Sequence, residues 1–279
     1  MKERVMRWVF ALTACASIAA VILICVFLFA NGVPAMAEIG FFNFVGGQRW
    51  KPSSGLYGIW PMIVGSLYVT AGALIVGVPA GIFTAMYLAR FCNKRLYRFL
   101  KPAINLLAGI PSVVYGFFGL VVLVPLVREW LGGTGMSTLT ASVLLGIMIL
   151  PTIIGVAESA IRAVPEAYYE GALALGATHE RSVFFVVLRA ARSGVLAGVV
   201  LGIGRAIGET MAVIMVAGNQ PYIPSSILDG VRTMTTNIVL EMGYATDLHR
   251  EALIATAVVL FVFILLINAQ FAGIKSRMK

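Results

Sequence analysis

The sequence predicts an all-α, polytopic membrane protein with six transmembrane helices. Hydrophobic residues make up 60% of the 279-residue chain and charged residues only 12%, which is more apolar surface than one soluble core of this size needs. Several separate stretches reach the roughly 20 apolar residues that a helix needs to cross about 30 Å of hydrocarbon. Lipid-exposed strands or loops would leave backbone N–H and C=O groups unpaired, so we expect continuous helices.

The apolar stretches define the order of the spans and a division into two parts. The six spans are predicted at residues 8–30, 62–89, 103–127, 139–160, 194–217 and 252–272. Residues 1–61 then form an N-terminal helix with an external loop, and residues 62–279 form a compact bundle of helices. The sequence AMA at 35–37 is typical of a signal-peptidase site. The apolar run before it exceeds the roughly 7 to 15 residues of a signal peptide, however, so we expect the first helix to remain attached.

The positive charges predict the orientation of the chain in the membrane. Fifteen of the 21 lysines and arginines fall at 2–7, 90–101, 162–192 and 275–279, five fall in the opposite connections, and Arg205 lies within a span. Basic residues collect on the cytoplasmic side of a membrane. We therefore expect both termini and the 162–192 loop in the cytoplasm, and we interpret the net charge of +9 as orientation and not as nucleic-acid binding.

The third span contains a helix-breaking signal. Pro111 removes a backbone donor between Gly109 and Ser112, inside the sequence LLAGIPSVVYGFFG. The span is therefore predicted to kink or break there. Two interpretations remain open, a packing kink and a broken helix that lines a substrate path.

The 162–192 loop is predicted to form two short helices at the cytoplasmic surface. Pro165 and Glu166 suit a helix start, Gly176 suits a helix end, and Thr178 suits the start of the second helix. The first helix is expected to display small side chains to a groove on a partner protein. These side chains are Ala167, Ala172, Leu173 and Ala174.

Two charges stand inside the fifth span, in the sequence GIGRAIGETM. Arg205 and Glu209 are four residues apart, so on one helix they share a face and can pair. An arginine in mid-membrane costs about 2.5 to 3.5 kcal/mol, which indicates a position facing the bundle interior or water. Either the pair fixes helix packing, or Arg205 offers its donors to an anion in transit and Glu209 orients it. Glu158, by contrast, is expected to pair with Arg162 at the inner end of the fourth span.

The sequence lacks the motifs of several other functional classes. The sequence has no GxxxxGK[ST] loop, no HExxH and no GxSxG, so we expect neither ATP hydrolysis nor other catalysis by this chain. Three cysteines and two histidines show no metal-ligand spacing. No metal site or bound cofactor is predicted.

The cytoplasmic loop resembles the EAA loop of bacterial ABC-importer permeases, in the stretch EGALALG followed by VVLR. Matching positions are Glu170, Ala172, Gly176, Val186 and Leu188, with Gly171 in place of the middle alanine and Arg189 in place of the final proline. The stretches LLAGIPSVVYGFFGL, IMILPTIIGVAESAIRAVP and GIGRAIGETMAVIMVAGN resemble phosphate-specific transport permeases, and the last is most similar to the PstC-type subunit. The resemblance covers about residue 62 to the end.

The resemblance implies an inner-membrane subunit that forms half of an inward path for inorganic phosphate. It also implies a PstA-type sister permease, two cytoplasmic ATPase subunits that bind ATP and Mg²⁺ and dock on the loop at Glu166, Glu170, Gly171, Ala172 and Gly176, and an external phosphate-binding protein. Arg205 and Glu209 are then expected along the phosphate path. A PstA-type permease, a permease for another oxyanion and a passive anion channel remain alternatives.

Overall fold

The computed structural model describes residues 2–277, with side chains described from 5 to 271 and at 273. The predicted inside charges at Lys2, Arg4, Lys275, Arg277 and Lys279 lie outside the described side chains. The described backbone folds into fourteen α-helices and one two-stranded hairpin. In chain order these are α1 (Lys2–Ile39), α2 (Phe41–Gly46), β1 (Trp50–Lys51), β2 (Leu56–Tyr57), α3 (Trp60–Met86), α4 (Lys94–Gly109), α5 (Ser112–Phe118), α6 (Val124–Leu131), α7 (Thr138–Arg162), α8 (Glu166–Ala174), α9 (His179–Ser182), α10 (Leu188–Ala190), α11 (Arg192–Gly208), α12 (Met211–Val216), α13 (Met234–Met242) and α14 (Asp247–Arg277).

The helices form two compact units. One contains the described residues up to Trp60 together with Ile238–Val262, and the other contains Pro61–Asn237 with the described residues from Phe263 onward. The predicted boundary between 61 and 62 lies beside the boundary of these units. Residues 238–262, which the sequence assigns to the second part, belong to the first unit.

In the first unit, a short hairpin follows a first helix that is longer than predicted. α1 continues through the AMA sequence to Ile39, and residues 41–57 form α2 and the antiparallel hairpin, in which Trp50 pairs with Tyr57. The indole N–H of buried Trp50 donates to the Glu241 carboxylate at 2.7 Å, and His249 Nε2 lies 2.9 Å from the same oxygen. These contacts join the hairpin to α13 and α14. They also stabilise the buried Glu241 carboxylate, because a buried charge needs hydrogen-bonding partners.

Hydropathy predicted most of the spans, and the chain is an all-α polytopic membrane protein. Across the described part of the whole chain, five helices are long and apolar enough to cross a membrane. The count is six if His179–Ala190 and Arg192–Gly208, which meet at 71°, are one bent span. α3, α7 and α14 agree with the second, fourth and sixth predicted spans within a few residues, although α14 extends about five residues further at each end.

The predicted third span, 103–127, is wrong at its start. α4 ends at Gly109 and α5 begins at Ser112, with Pro111 as the N-terminal cap of α5. The long apolar segment therefore begins at Ser112 and ends at Leu131. α4 carries charged and apolar side chains on different faces, so its hydropathy is too low for a span, although its last turns are apolar.

A row of small residues lets α11 pack closely on α7. A Cβ added at Gly194 would lie 2.4 Å from Ala160 Cβ, and one at Gly202 would lie 3.0 Å from Ile153 Cγ1. The four-residue spacing of small residues in the fifth span is typical of such close approach. This contact holds α11, and with it Arg205, against the centre of the bundle.

Candidate substrate path and coupling loop

The fifth predicted span is broken beside its two charges. α11 ends at Gly208, Glu209 has an extended backbone (φ −70°, ψ 132°), and α12 begins at Met211. A continuous helix over 194–217 is therefore wrong. Glycine lowers helix propensity, and Gly208 stands directly before the break, although the apolar pattern continues through it.

One of the two interpretations, a mutual ion pair of Arg205 and Glu209 that fixes helix packing, is wrong, because the two charges are on different elements. Among the described residues, Arg205 and Glu209 form no salt bridge. The Glu209 carboxylate accepts instead from the backbone N–H of Thr210 at 3.1 Å and of Ala212 at 3.3 Å. It thereby satisfies donors in the first turn of α12 that the helix leaves unpaired.

Arg205 keeps most of its hydrogen-bonding capacity. Its Nη1 donates to the hydroxyl of Thr152 on α7 at 3.3 Å, and within the described structure this is its single side-chain partner. The residue is only partly buried. Because a guanidinium has five N–H donors in a planar fork, most of them remain free to bind an anion.

The segments that follow the two breaks pack against each other. α12 packs against α5, where a Cβ added at Gly116 would lie 2.8 Å from Met215 Sδ. The hydroxyl of buried Tyr115 on α5 reaches back across the first break and donates to the Leu107 carbonyl at 2.9 Å. Both breaks are therefore followed by helices that contact each other, and Arg205 is on the helix that ends at the second break.

Polar side chains of residues 232–237 stabilise the region of the second break, at Glu209. The Thr235 hydroxyl donates to the backbone carbonyl of Glu209 at 3.0 Å. Arg232 Nε donates to the Asn219 carbonyl at 2.9 Å, and its Nη1 donates to Asn237 Oδ1 at 3.1 Å. Arg232, predicted as a charge of an outer connection, thus joins two segments of the unit.

The two helices predicted in the 162–192 loop are α8 and α9. Gly176 adopts a left-handed backbone (φ +85°) after α8, its N–H donates to Leu173 O at 2.9 Å, and the N–H of Ala177 donates to Ala172 O at 3.1 Å. This is the Schellman arrangement that favours glycine. The Thr178 hydroxyl then accepts from Arg181 N–H and caps α9.

α8 is fastened to the end of α3. Arg90 Nη1 lies 2.7 Å from Glu166 Oε2, and the Arg90 guanidinium lies 5.7 Å from the centre of the Tyr169 ring. The Tyr169 hydroxyl is 2.8 Å from His179 Nδ1, and the rings of Phe91 and His179 meet edge to face at 4.6 Å. α8 and the start of α9 are therefore joined to the segment that directly follows α3.

The exposed side of α8 differs from the prediction at one position. Ala172 is buried against the bundle, so its expected display to a partner is wrong, whereas Ala167, Leu173 and Ala174 are exposed. Leu175, the residue after α8, is 91% exposed. Glu170 and Gly171 are exposed as well, and Gly176 shapes the end of this surface.

Glu158 joins α7, α4 and the start of the loop. Its side chain is 2% exposed and pairs with Arg162 at 2.9 Å, which confirms the predicted ion pair, and with Lys101 at 2.7 Å. The Tyr97 hydroxyl donates to the same carboxylate at 2.8 Å, and Arg162 Nη2 donates to Leu88 O at 2.7 Å. Hydrogen bonding to this carboxylate raises the pKa of Tyr97 above its usual value.

Sequence reasoning missed several residues of the site. Thr152 and Tyr115 are polar side chains within apolar spans, which is a usable signal, since polar groups in a span face partners. The buried run Thr233–Asn237 gave a weaker signal, because it stands outside the predicted spans. The contact between Lys101 and Glu158 could not be predicted from the sequence, because the two residues are 57 positions apart.

Comparisons with known proteins agree with this architecture. The sequence model of the family described as "Binding-protein-dependent transport system inner membrane component" matches residues 77–279. The chain is 39% identical over 269 residues to the probable ABC transporter permease protein YqgH of Bacillus subtilis, covering 92% of this chain and 87% of the relative. It is 35% identical over 263 residues to the phosphate transport system permease protein PstC of Mesorhizobium japonicum, covering 87% and 80%.

A solved structure shows the same fold. The bacterial alginate ABC transporter, in complex with an alginate pentasaccharide-bound periplasmic protein, contains a chain that is 18% identical, with a TM-score of 0.62 and 95% of each chain covered. The family match covers well over half of the chain. The chain therefore belongs to the inner-membrane permease components of binding-protein-dependent ABC transport systems.

Proposed function

We propose that the chain is one of two permease subunits of an ABC importer that moves inorganic phosphate into the cell. The main observation in favour of this path is the largely free donor fork of Arg205 beside the helix break at Glu209. The identity of the substrate is supported by the relatives named as phosphate permeases. Phosphate oxygens suit the planar donors of arginine.

The break at Glu209 allows both Arg205 and Glu209 to act on an anion in the proposed path. Since the Glu209 carboxylate is occupied by backbone donors of α12, it does not compete with an anion for Arg205. Its negative charge nevertheless remains near the passing anion and limits how tightly the site holds it. Weak retention suits a transport site, because a substrate must leave as well as bind.

The assembly is completed by partner proteins. A PstA-type sister permease forms the other half of the path, and an external binding protein delivers phosphate. Two cytoplasmic ATPase subunits bind ATP and Mg²⁺ and dock on α8 at Glu170, Gly171 and Leu175. The chain itself catalyses no reaction in this proposal, and both of its termini lie in the cytoplasm.

The loop contacts provide a route for coupling. ATP-driven closure of the ATPase pair moves α8, and the Arg90–Glu166 contact transmits the movement to α3. The Glu158 network transmits it to α4, which leads into the break at Pro111. Rigid elements joined at short breaks are the usual means of such transitions.

Phosphate uptake at low external concentration tests the proposal. Cells that carry the native chain with its partners should take up radiolabelled phosphate, with little competition from sulfate, molybdate or phosphonate. Stronger competition by one of these anions would assign the path to that oxyanion. Uptake that persists without the ATPase subunits would identify a passive channel and refute the importer.

A charge reversal at Glu170 tests the docking surface. Glu170→Lys should abolish ATPase binding and uptake while leaving membrane levels normal. The matched control is Glu129→Lys, which reverses an exposed carboxylate on α6, far along the chain from the loop. Normal ATPase binding in Glu170→Lys would place the docking surface elsewhere.

A further inference from the structure

A basic cavity of about 350 Å³ lies where the chain leaves α3 and enters α4. Four cationic side chains line it, and the lining contains no carboxylate. They are Arg90, Lys94, Arg98 and Arg162, joined by the phenol of Tyr97. The proposed phosphate path does not use this cavity, because the cavity lies at the start of α4, whereas Arg205 is on α11 and the first break follows the other end of α4.

The charges of the cavity are only half compensated. Arg90 pairs with Glu166, and Arg162 pairs with Glu158. Neither Lys94 nor Arg98 forms a hydrogen bond or ion pair with any residue that the structure describes. The cavity therefore retains two uncompensated positive charges, which favour an anion.

Arg90, which lines the cavity, has a buried donor without a partner. The Arg90 side chain is 12% exposed, and its Nε–H is buried without a hydrogen-bond partner in the described structure. A buried donor without an acceptor is unfavourable. The first turn of the 16-residue α4 begins at Lys94, and the positive end of a helix adds to the attraction for an anion.

The side of α4 that is turned away from the cavity is apolar. Leu96, Phe99 and Leu106 follow one another at helical spacing there, and the side chains of Phe99 and Leu106 are 72% and 73% exposed. A helix that is basic on one side and apolar on the other suits the boundary between lipid headgroups and hydrocarbon.

We propose that this cavity binds a phosphate group at the inner surface of the membrane. Arg90, Lys94 and Arg98 donate to the phosphate oxygens, since arginine forms fork-like contacts and lysine supplies a compact charge. The group comes either from the headgroup of an anionic phospholipid or from free inorganic phosphate in the cytoplasm. The site is separate from the proposed transport path.

The test uses the assembled importer with the Arg205→Ala substitution, so that binding in the transport path does not contribute. The variant Lys94→Gln/Arg98→Gln removes the two uncompensated charges. Its matched control, Arg95→Gln, removes an exposed charge of the same helix that does not line the cavity. None of the three residues has a partner to lose in the described structure, so both variants should fold, and thermal unfolding checks this.

Two arms separate the sources of the phosphate group. Native mass spectrometry after extraction from phosphatidylglycerol nanodiscs measures retained lipid, and thermal unfolding with and without inorganic phosphate measures the free anion. If the ligand is a lipid headgroup, the protein with the unmutated cavity and the Arg95→Gln variant should both retain phosphatidylglycerol. The Lys94→Gln/Arg98→Gln variant should bind it about 30-fold more weakly. For free phosphate, inorganic phosphate raises the Tm of the first two proteins and not that of the double variant.

Either pattern supports the site and identifies the source. The proposal is overturned if neither ligand binds, or if Arg95→Gln weakens binding as much as the double variant does. The second result would reduce the effect to general attraction between basic residues and anions.

Discussion

Replacing Glu158 by glutamine removes a buried negative charge from the centre of a four-residue network. The carboxylate is 2% exposed and accepts from Tyr97, Lys101 and Arg162 at 2.7–2.9 Å. Breaking a buried ion pair costs about 3 to 5 kcal/mol. Lys101 and Arg162 both reach water, and the amide oxygen of glutamine still accepts one hydrogen bond. We therefore expect a loss of about 2 kcal/mol in the free energy of unfolding.

Thermal unfolding of the purified chain in nanodiscs measures this loss, with the fluorescence of the four tryptophans as the signal. A loss of about 2 kcal/mol corresponds to a fall in Tm of about 4 to 8 °C for a protein of this size. The control is Glu251→Gln, which changes an exposed carboxylate and should alter stability by less than about 0.5 kcal/mol. Equal Tm values for the two variants would refute the role of Glu158 as the joint between α4 and α7.

Three further substitutions test other parts of the fold and site. Gly194→Ala should separate α11 from α7 and lower the free energy of unfolding by about 1 to 3 kcal/mol. Adding Ala160→Gly to the same chain should restore the Tm, and failure of that rescue would argue against the close contact. Gly176→Ala, at a left-handed backbone position, should cost about 1 kcal/mol and weaken ATPase binding, so unchanged binding would show that the end of α8 tolerates another shape. Tyr115→Phe should cost about 1 kcal/mol in the free energy of unfolding by removing one of the two hydrogen bonds to the Leu107 carbonyl, and a Tm equal to that of the native chain would mean that this hydrogen bond across the break does not form.

Hydropathy predicted the membrane class and most of the spans, because a helix in lipid must be apolar over its whole length. Local chemistry predicted the shape of the loop, since the glycine and threonine preferences at Gly176 and Thr178 depend on the backbone alone. The break near Pro111 is also a local effect. Each of these signals is contained within a few neighbouring residues.

The predictions that failed depend on contacts between distant segments. The separation of Glu209 from Arg205 depends on the backbone donors of α12 that the carboxylate satisfies, and periodicity does not reveal such a choice. Ala172 is buried because α8 packs back on the bundle, and its small size fits either an inward or an outward position. α4 carries Lys101 toward Glu158, and that pairing becomes visible only when both helices are placed.

The central claim is that phosphate passes Arg205. The direct measurement is initial uptake of radiolabelled phosphate by the assembled importer with Arg205→Ala, Arg205→Lys, or the control Arg250→Ala, which removes an exposed arginine, at equal membrane levels. Losing hydrogen bonds to a charged group worth about 1.5 to 3 kcal/mol should reduce uptake by about 10- to 150-fold in Arg205→Ala. Arg205→Lys should keep part of the activity, and Arg250→Ala should keep all of it. Unchanged uptake in Arg205→Ala would contradict the account and place the phosphate path elsewhere in the bundle.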